Sequence, residues 1–265
     1  MKIGVIGLGV VGGAIKTGFE RLNHEVSCHD IKLNTSIDTI IDSEIVFLCV
    51  PTPQGEDGSC DTSIITGVLK ELSDKMYKGI VAIKSTVECG FTQTAIDEYR
   101  NLTMCFVPEF LRERCALDDF IHNHNLLAVG THDKFVFDKL VEAHGHYPKD
   151  AVKLKPTEAE ILKYYNNVFA AYKIIFANIM SEVCGKLNCD YTTVKDAFIK
   201  FGRCKDTYLD VNENLKGYGG MCLPKDVKAM TKLLEKLDID FDTFKSIDKD
   251  NSKLKTTVFN GMRKR

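Results

Sequence analysis

The chain has 265 residues, 44% hydrophobic and 27% charged, which suits one large or two modest globular domains and excludes a disordered, collagen-like or coiled-coil chain. Thirty-five basic against 37 acidic residues leave a formal net charge of -2, so no global positive field holds nucleic acid or an anionic membrane, and any anion must be met by a local site. Ten cysteines are scattered singly without a Cys-x-x-Cys pair, which speaks against a zinc or other metal site and for reduced thiols in a cytoplasmic protein.

Met1, Lys2 and the apolar stretch to Ile15 have the outline of a signal peptide, but regularly spaced glycines followed by an amphipathic helix make a strand and a turn the better reading. Up to about residue 155, short apolar runs alternate with helical patterns, predicting an α/β fold with a Rossmann-like, doubly wound parallel sheet. The predicted strands are 2–6, 25–29, 45–50, 80–84, 103–107 and 126–129. The first leads into Gly7-Leu8-Gly9-Val10-Val11-Gly12 and then a helix, the setting of the dinucleotide fingerprint. There the first glycine permits the tight turn, the second admits the pyrophosphate and the third lets helix pack on strand, while the helix N-terminus stabilises the anion. Asp30, at the end of the second strand, is placed to bind ribose hydroxyls and to repel a 2'-phosphate, which favours NAD over NADP.

The segment PTPQGEDGSCD at 51–61 reads as a loop at the sheet's carboxyl edge, where ligands sit in open α/β sheets. Thr86 follows the fourth strand, as a site residue or a helix cap. Glu109 and Glu113 follow the fifth, as site residues or as helix-start acids complementing the dipole. Residues 148–156 read as a short linker.

From Thr157 the period changes. Thr157 and Glu160 fit a capping box, and Ile161, Leu162, Tyr165, Val168, Phe169, Tyr172, Ile175, Phe176 and Ile179 predict one helix of roughly 28 residues, about 42 Å long, ending near Gly185. Lys163 and Asn167, four apart, share one of its faces, as active-site groups or a solvated edge. Further helices are predicted at 191–201, 226–237 and 241–259, and the terminal MRKR reads as a solvated basic end. No run of 18 consecutive apolar residues occurs, so no membrane span is expected. In GYGGMCLPKD, at 217–226, Cys222 sits in a glycine-rich loop just before a helix, where a thiol is either an activated nucleophile or an inert packing residue.

GLGVVG, CVPTP (49–53), STVECG (85–90), PEFLRE (108–113), EAEILKYYNN (158–167) and GYGGMCLPKD occur in the order found in the UDP-glucose 6-dehydrogenases. On these six blocks the chain resembles the UDP-glucose/GDP-mannose dehydrogenase family. The resemblance implies an NAD-binding domain at 1–155, and at 156–265 a long helix with an all-α central and dimerisation domain that carries the catalytic cysteine loop. It implies NAD-dependent, four-electron oxidation of a nucleotide sugar, UDP-glucose by the form of the cysteine block, to the 6-carboxylate.

Carried onto matching positions, Cys222 is the nucleophile that forms a thiohemiacetal and then a thioester. Lys163 stabilises oxyanion charge, Asn167 adds a hydrogen bond and Asp226 orients or deprotonates water; Thr86, Glu109 and Glu113 lie near the reacting carbon. Pro51, Thr52 and Thr86 join the cofactor set of Gly7, Leu8, Gly9, Val10, Val11, Gly12 and Asp30. Phe110, Leu111, Tyr218 and Gly219 join Lys163 and Asn167 as substrate contacts. The long apolar helix is too extensive to be covered by so small a central domain, so a homodimer through this helix is expected.

Family members continue through a further helix into a second α/β domain, whereas this sequence stops where that helix runs. The expectations are a minimal enzyme, one completed by a second polypeptide, or a fragment. The alternatives in function are a two-electron hydroxyacid dehydrogenase of the 6-phosphogluconate type, which has no use for a nucleophilic thiol, and a catalytically silent NAD-binding or oligomerisation protein.

Overall fold

The computed structural model describes residues 1–212 and 214–254. Seven short strands, β1 (Lys2–Ile6), β2 (Glu25–His29), β3 (Ile45–Leu48), β4 (Ile80–Ile83), β5 (Thr103–Phe106), β6 (Leu127–Gly130) and β7 (Ala151–Leu154), form one sheet in the order β2-β1-β3-β4-β5-β6-β7. Pairing is parallel throughout except between β5 and β6, which meet antiparallel at Phe106 and Gly130. The central strands are apolar on both sides because helices cover both faces. Val46, Leu48, Val81 and Ile83 enter one core layer, while Ile45, Phe47, Ile80 and Ala82 enter the other, as alternation along a strand requires.

Helices α1 (Val10–Arg21), α2 (Ser63–Asp74), α3 (Phe91–Glu98), α4 (Ala116–Ile121) and α5 (Lys134–His144) belong with this sheet. The strand order reverses between β1 and β3, so the glycine turn after β1 opens at the topological switch point where such sheets bind ligands. The sequence reading missed β7, which lies inside the segment expected to be a linker. Ala-Val-Lys-Leu is too short to show a period by itself and becomes a strand by pairing with β6.

Helix α6 (Pro156–Lys186) has 31 residues. It starts one residue before the expected capping box, because proline lacks the N–H that a first helical turn leaves unpaired. Glu158 accepts the Lys155 N–H (2.8 Å) in the role expected of Glu160. Glu160 is instead buried and accepts the N–H groups of Gly90 (2.5 Å) and Thr92 (2.8 Å), capping α3. At the far end Asn188 takes the left-handed conformation (φ 54°) and the Cys189 N–H bonds to the Cys184 carbonyl (2.8 Å), so asparagine rather than Gly185 closes the helix.

The chain divides into two compact units, one of Met1–Gly55 with Cys60–Lys163, the other of Glu56–Ser59 with the chain from Tyr164 onward. In the second, α6 is followed by α7 (Tyr191–Lys200), α8 (Leu223–Lys236) and α9 (Thr243–Lys253), around a core of Val168, Ala171, Ile175, Tyr218, Val227 and Ile247. Residues 255–259 of the last predicted helix, and MRKR, lie outside the described residues. Among the described residues α6 is long and apolar enough, by length and composition, to cross a membrane. Counting consecutive apolar residues did not reveal this, because Lys163, Asn166, Asn167, Lys173 and Asn178 interrupt the run. Val168, Ala171 and Ile175 bury their side of it in the helical core.

Candidate active site

The three glycines after β1 do different work. Gly7 has φ 88°, and a Cβ there would stand 2.7 Å from the Cys49 carbonyl oxygen; a Cβ on Gly12 would stand 1.9 Å from the carbonyl oxygen of Gly7. The chain's own packing demands both. A Cβ on Gly9 would meet nothing within 4 Å. Gly9 is also the N-cap of α1, with no side chain capping that helix, so open space lies over amides able to receive an anion.

Asp30 accepts the Leu8 N–H at 2.6 Å and the Lys32 N–H at 2.8 Å, and these two bonds hold its carboxyl below the usual range. It is therefore an anion that clips the glycine turn to the end of β2, with lone pairs left for ribose hydroxyls. These residues fit NAD: Gly9, Val10 and Val11 would hold the pyrophosphate and Asp30 a ribose. Pro51 is exposed and Thr52 half-buried in the loop beyond β3.

In the same unit Glu109 lies buried after β5. One of its carboxylate oxygens meets Lys163 Nζ at 2.7 Å and the other accepts the Leu111 N–H at 2.7 Å, while its carbonyl takes a second Lys163 bond at 2.6 Å. Burial pushes the carboxyl up, but the charge and hydrogen bond of Lys163, with the Leu111 N–H, outweigh it and keep Glu109 ionised. The Lys163 ammonium also stands 5.9 Å from the centre of the Phe110 ring. Glu113 does not join Glu109. Residues between them are not helical, and Glu113 is exposed in a short 3-10 turn before α4. Thr86 is not a helix cap: α3 begins after Gly90, and the Thr86 carbonyl accepts the Cys60 thiol at 3.2 Å.

Sequence reasoning passed over Lys84, which is buried at the end of β4. Burial lowers its pKa to about 8, against the upward pull of Cys49 and Glu109 and with the added push of Lys163. Only tertiary structure exposes this, since a lysine after a strand is ordinarily solvated.

In the second unit Cys222 is exposed and forms the N-cap of α8, the end at which a thiolate is electrostatically favoured. One turn on, Asp226 is fully buried. Its two oxygens are taken by Lys225 Nζ (2.7 Å) and by the Asn167 amide (2.6 Å), and Asn167 in turn accepts from Asn166 (2.9 Å). Tyr218 turns its ring into the helical core, so a ligand can meet it only through its backbone, while Gly219 beside it is half-buried. Among the described residues no cluster of three or more His, Cys, Asp or Glu side chains is set to hold a metal.

A mostly parallel sheet with an open glycine turn at its switch point marks a dinucleotide-binding fold of the Rossmann class. The NAD binding domain of the UDP-glucose/GDP-mannose dehydrogenase family matches residues 31–144, and that family's central domain matches 157–253. The chain belongs to this family. It is 27% identical to a UDP-glucose 6-dehydrogenase of Bacillus subtilis, over 95% of this chain and 66% of that protein. It is 26% identical to a GDP-mannose 6-dehydrogenase of Pseudomonas aeruginosa, over 95% of this chain and 68% of that one. The solved UDP-glucose dehydrogenase from Pyrobaculum islandicum superposes with a TM-score of 0.87 at 26% identity, covering 95% of this chain and 68% of its own. The chain thus spans about half to two thirds of the length of the curated relatives it matches first.

Gly9→Ala should keep the melting temperature near that of the parent while weakening NAD binding by about tenfold or more in a calorimetric titration, whereas Gly12→Ala should destabilise the fold itself. A Lys84→Met protein should be more stable than the parent to urea below pH 8, where the parent carries a buried ammonium. Because the folded pKa lies below the unfolded one, that cost disappears as pH rises through about 8 towards 10.5. The difference, about 3 kcal/mol at most from the size of the shift, should shrink over this window.

Proposed function

We propose that the chain carries out NAD-dependent, four-electron oxidation of a nucleotide sugar at its 6-hydroxymethyl group, with UDP-glucose as the favoured substrate. The observation that carries the reading is an exposed cysteine at the N-terminus of α8, one turn from a buried carboxylate matched to Asn167 and Lys225. A two-electron alcohol dehydrogenase has no use for that thiol. NAD, when bound, supplies the two-electron acceptor for each oxidation.

The Cys222 thiolate adds to the aldehyde carbon, and the carbonyl electron pair moves to oxygen as the new C–S bond forms. Lys163 stabilises the developing oxyanion, a role suited to an ammonium kept out of water. Oxidation of the adduct leaves a thioester, which water cleaves to free carboxylate and thiolate. Asp226 and Asn167 orient the water of the first oxidation. Glu109, already ionised, accepts hydrogen bonds from the hydrolytic water more readily than it takes its proton.

Supporting UDP-glucose is the similarity to several UDP-glucose 6-dehydrogenases; the likeness to a GDP-mannose 6-dehydrogenase makes GDP-mannose the alternative. The exposed stripe Tyr165, Phe169, Tyr172, Phe176, Ile179 and Val183 along α6 supports a homodimer formed through this helix.

With a panel of nucleotide sugars and excess NAD, the favoured sugar should yield two NADH per molecule oxidised. Cys222→Ser should reduce turnover by about a thousandfold or more with little change in NAD affinity; one NADH per sugar, or full activity without the thiol, sinks the reading. In sedimentation equilibrium the chain should run as a dimer at micromolar concentration, and Phe169→Glu with Phe176→Glu should shift it to monomer.

A further inference from the structure

The loop that carries Cys222 is anchored on its downstream side by α8, whose first turn holds the cysteine carbonyl to the Asp226 N–H at 2.9 Å. Its upstream anchor comes from the other end of the unit. Asn251, near the end of α9, accepts the Tyr218 N–H on Oδ1 at 2.7 Å and donates from Nδ2 to the Tyr218 carbonyl at 2.9 Å. One side-chain amide thus pairs with both backbone polar groups of one residue, in a place where Asn251 is 6% and Tyr218 0% exposed.

Asparagine is the shortest side chain that offers a neutral donor and acceptor in one planar fork. Neighbouring residues are shaped to admit it. Gly217 has φ 82°, and a Cβ there would lie 2.5 Å from Asn251 Oδ1 and 3.2 Å from Leu254 Cβ. Below the clamp, the Tyr218 ring packs with Val168, Val227 and Ile247, and its hydroxyl lies 3.5 Å from Asp248. Between clamp and helix remain Gly219, Gly220 (φ 79°) and Met221, a span with two glycines that has little stiffness of its own.

We propose that Asn251 is a positioning residue for Cys222: by clamping the Tyr218 backbone at both its N–H and its carbonyl it fixes the upstream end of the nucleophile loop, as α8 fixes the downstream end. The proposal rests on the reading of Cys222 given above, yet the clamp can be measured without substrate. A loosened loop leaves bound sugar in place but takes the sulfur out of its attacking position, so the loss falls on kcat rather than on KM.

The test uses the full chain with Asn251→Ala and Asn251→Asp. A protonated aspartic acid offers the same donor and acceptor fork as asparagine; the carboxylate offers a second acceptor facing the Tyr218 carbonyl. Burial opposes ionisation there, so Asn251→Asp should approach the parent as pH falls from about 8 to about 5.5. Other charged groups on the elements that meet there include Asp248, Lys249, Asp250 with Lys253, Asp226 with Lys225, Lys228, Lys236, Glu235 with Lys232 and Lys245, and Glu182 with Lys216. These are the same in parent and variant, so the ratio of the two isolates position 251.

At pH 8 both variants should exchange the amides of residues 218–222 about tenfold faster than the parent and lose about tenfold or more in kcat, with KM within about threefold. Asn251→Asp should recover on both counts at low pH. If Asn251→Ala does not fold, Asn251→Asp folded at pH 5.5 and jumped to pH 8 carries the test. The proposal is overturned by folded variants with parental exchange and kcat, by a change in KM alone, by a pH-independent ratio, or by an Asn251→Asp protein that stays unfolded at both pH values. If the parent oxidises no nucleotide sugar, the functional reading fails on its own. Amide exchange and the rate of Cys222 alkylation by iodoacetamide, expected to move towards that of the unfolded chain, then decide the clamp.

Discussion

A carboxylate removed from water must have both oxygens matched, or it takes up a proton or destabilises the fold. Asp226 meets this constraint with one lysine and one asparagine, and the arrangement of the helical unit follows from it. Lys225 is its chain neighbour, but Asn167 comes from α6, so satisfying the carboxylate sets the rotation of α8 about its axis and its register against the long helix. Cys222 is one turn upstream on the same helix and inherits that placement. The apolar contacts of Val168, Ala171, Ile175, Val227 and Ile247 drive these helices together, but such contacts are non-directional. The polar match decides which of several similar packings is adopted.

The first unit uses the same principle with different partners. Glu160 is buried because two amides at the start of α3 need an acceptor that no cap residue of that helix supplies. Glu109 is buried because Lys163 and the Leu111 N–H meet it. Lys84 is the exception in kind: its ammonium is costly where it stands, and its pKa is lowered accordingly. Buried charge near the carboxyl edge of a Rossmann sheet is the kind of strain that catalytic sites retain, because a group held out of water acts more strongly on charge that develops beside it.

Much of the candidate site was legible because its signals are local. The glycine turn is read from spacing, and the structure separates the roles within it: Gly7 and Gly12 answer to neighbouring backbone, and Gly9 to space. Other positions were illegible for a shared reason. Glu109 and Glu113 are four apart, a spacing that brings side chains together only on a helix, and the segment between them is not helical; Thr157 and Glu160 have capping-box spacing, but Pro156 starts the helix. The Tyr218 ring fills a core that only the packed helices create. Asn251, 33 residues from the backbone it grips at Tyr218, belongs to no motif visible in one sequence.

From the sequence alone come the α/β class, the positions of six strands, the dinucleotide turn with its acid, the long helix, and the cysteine set before another helix. Each is written in residues close together in the chain, through period, turn chemistry and capping. Tertiary structure alone decided that 151–154 is a strand, which carboxylates are buried and by what they are matched, that a lysine after β4 is half-way to losing its proton at mildly alkaline pH, and which residue holds the nucleophile's loop. Those outcomes depend on groups distant in the chain competing for the same few partners once water has been expelled, and no local pattern records who wins.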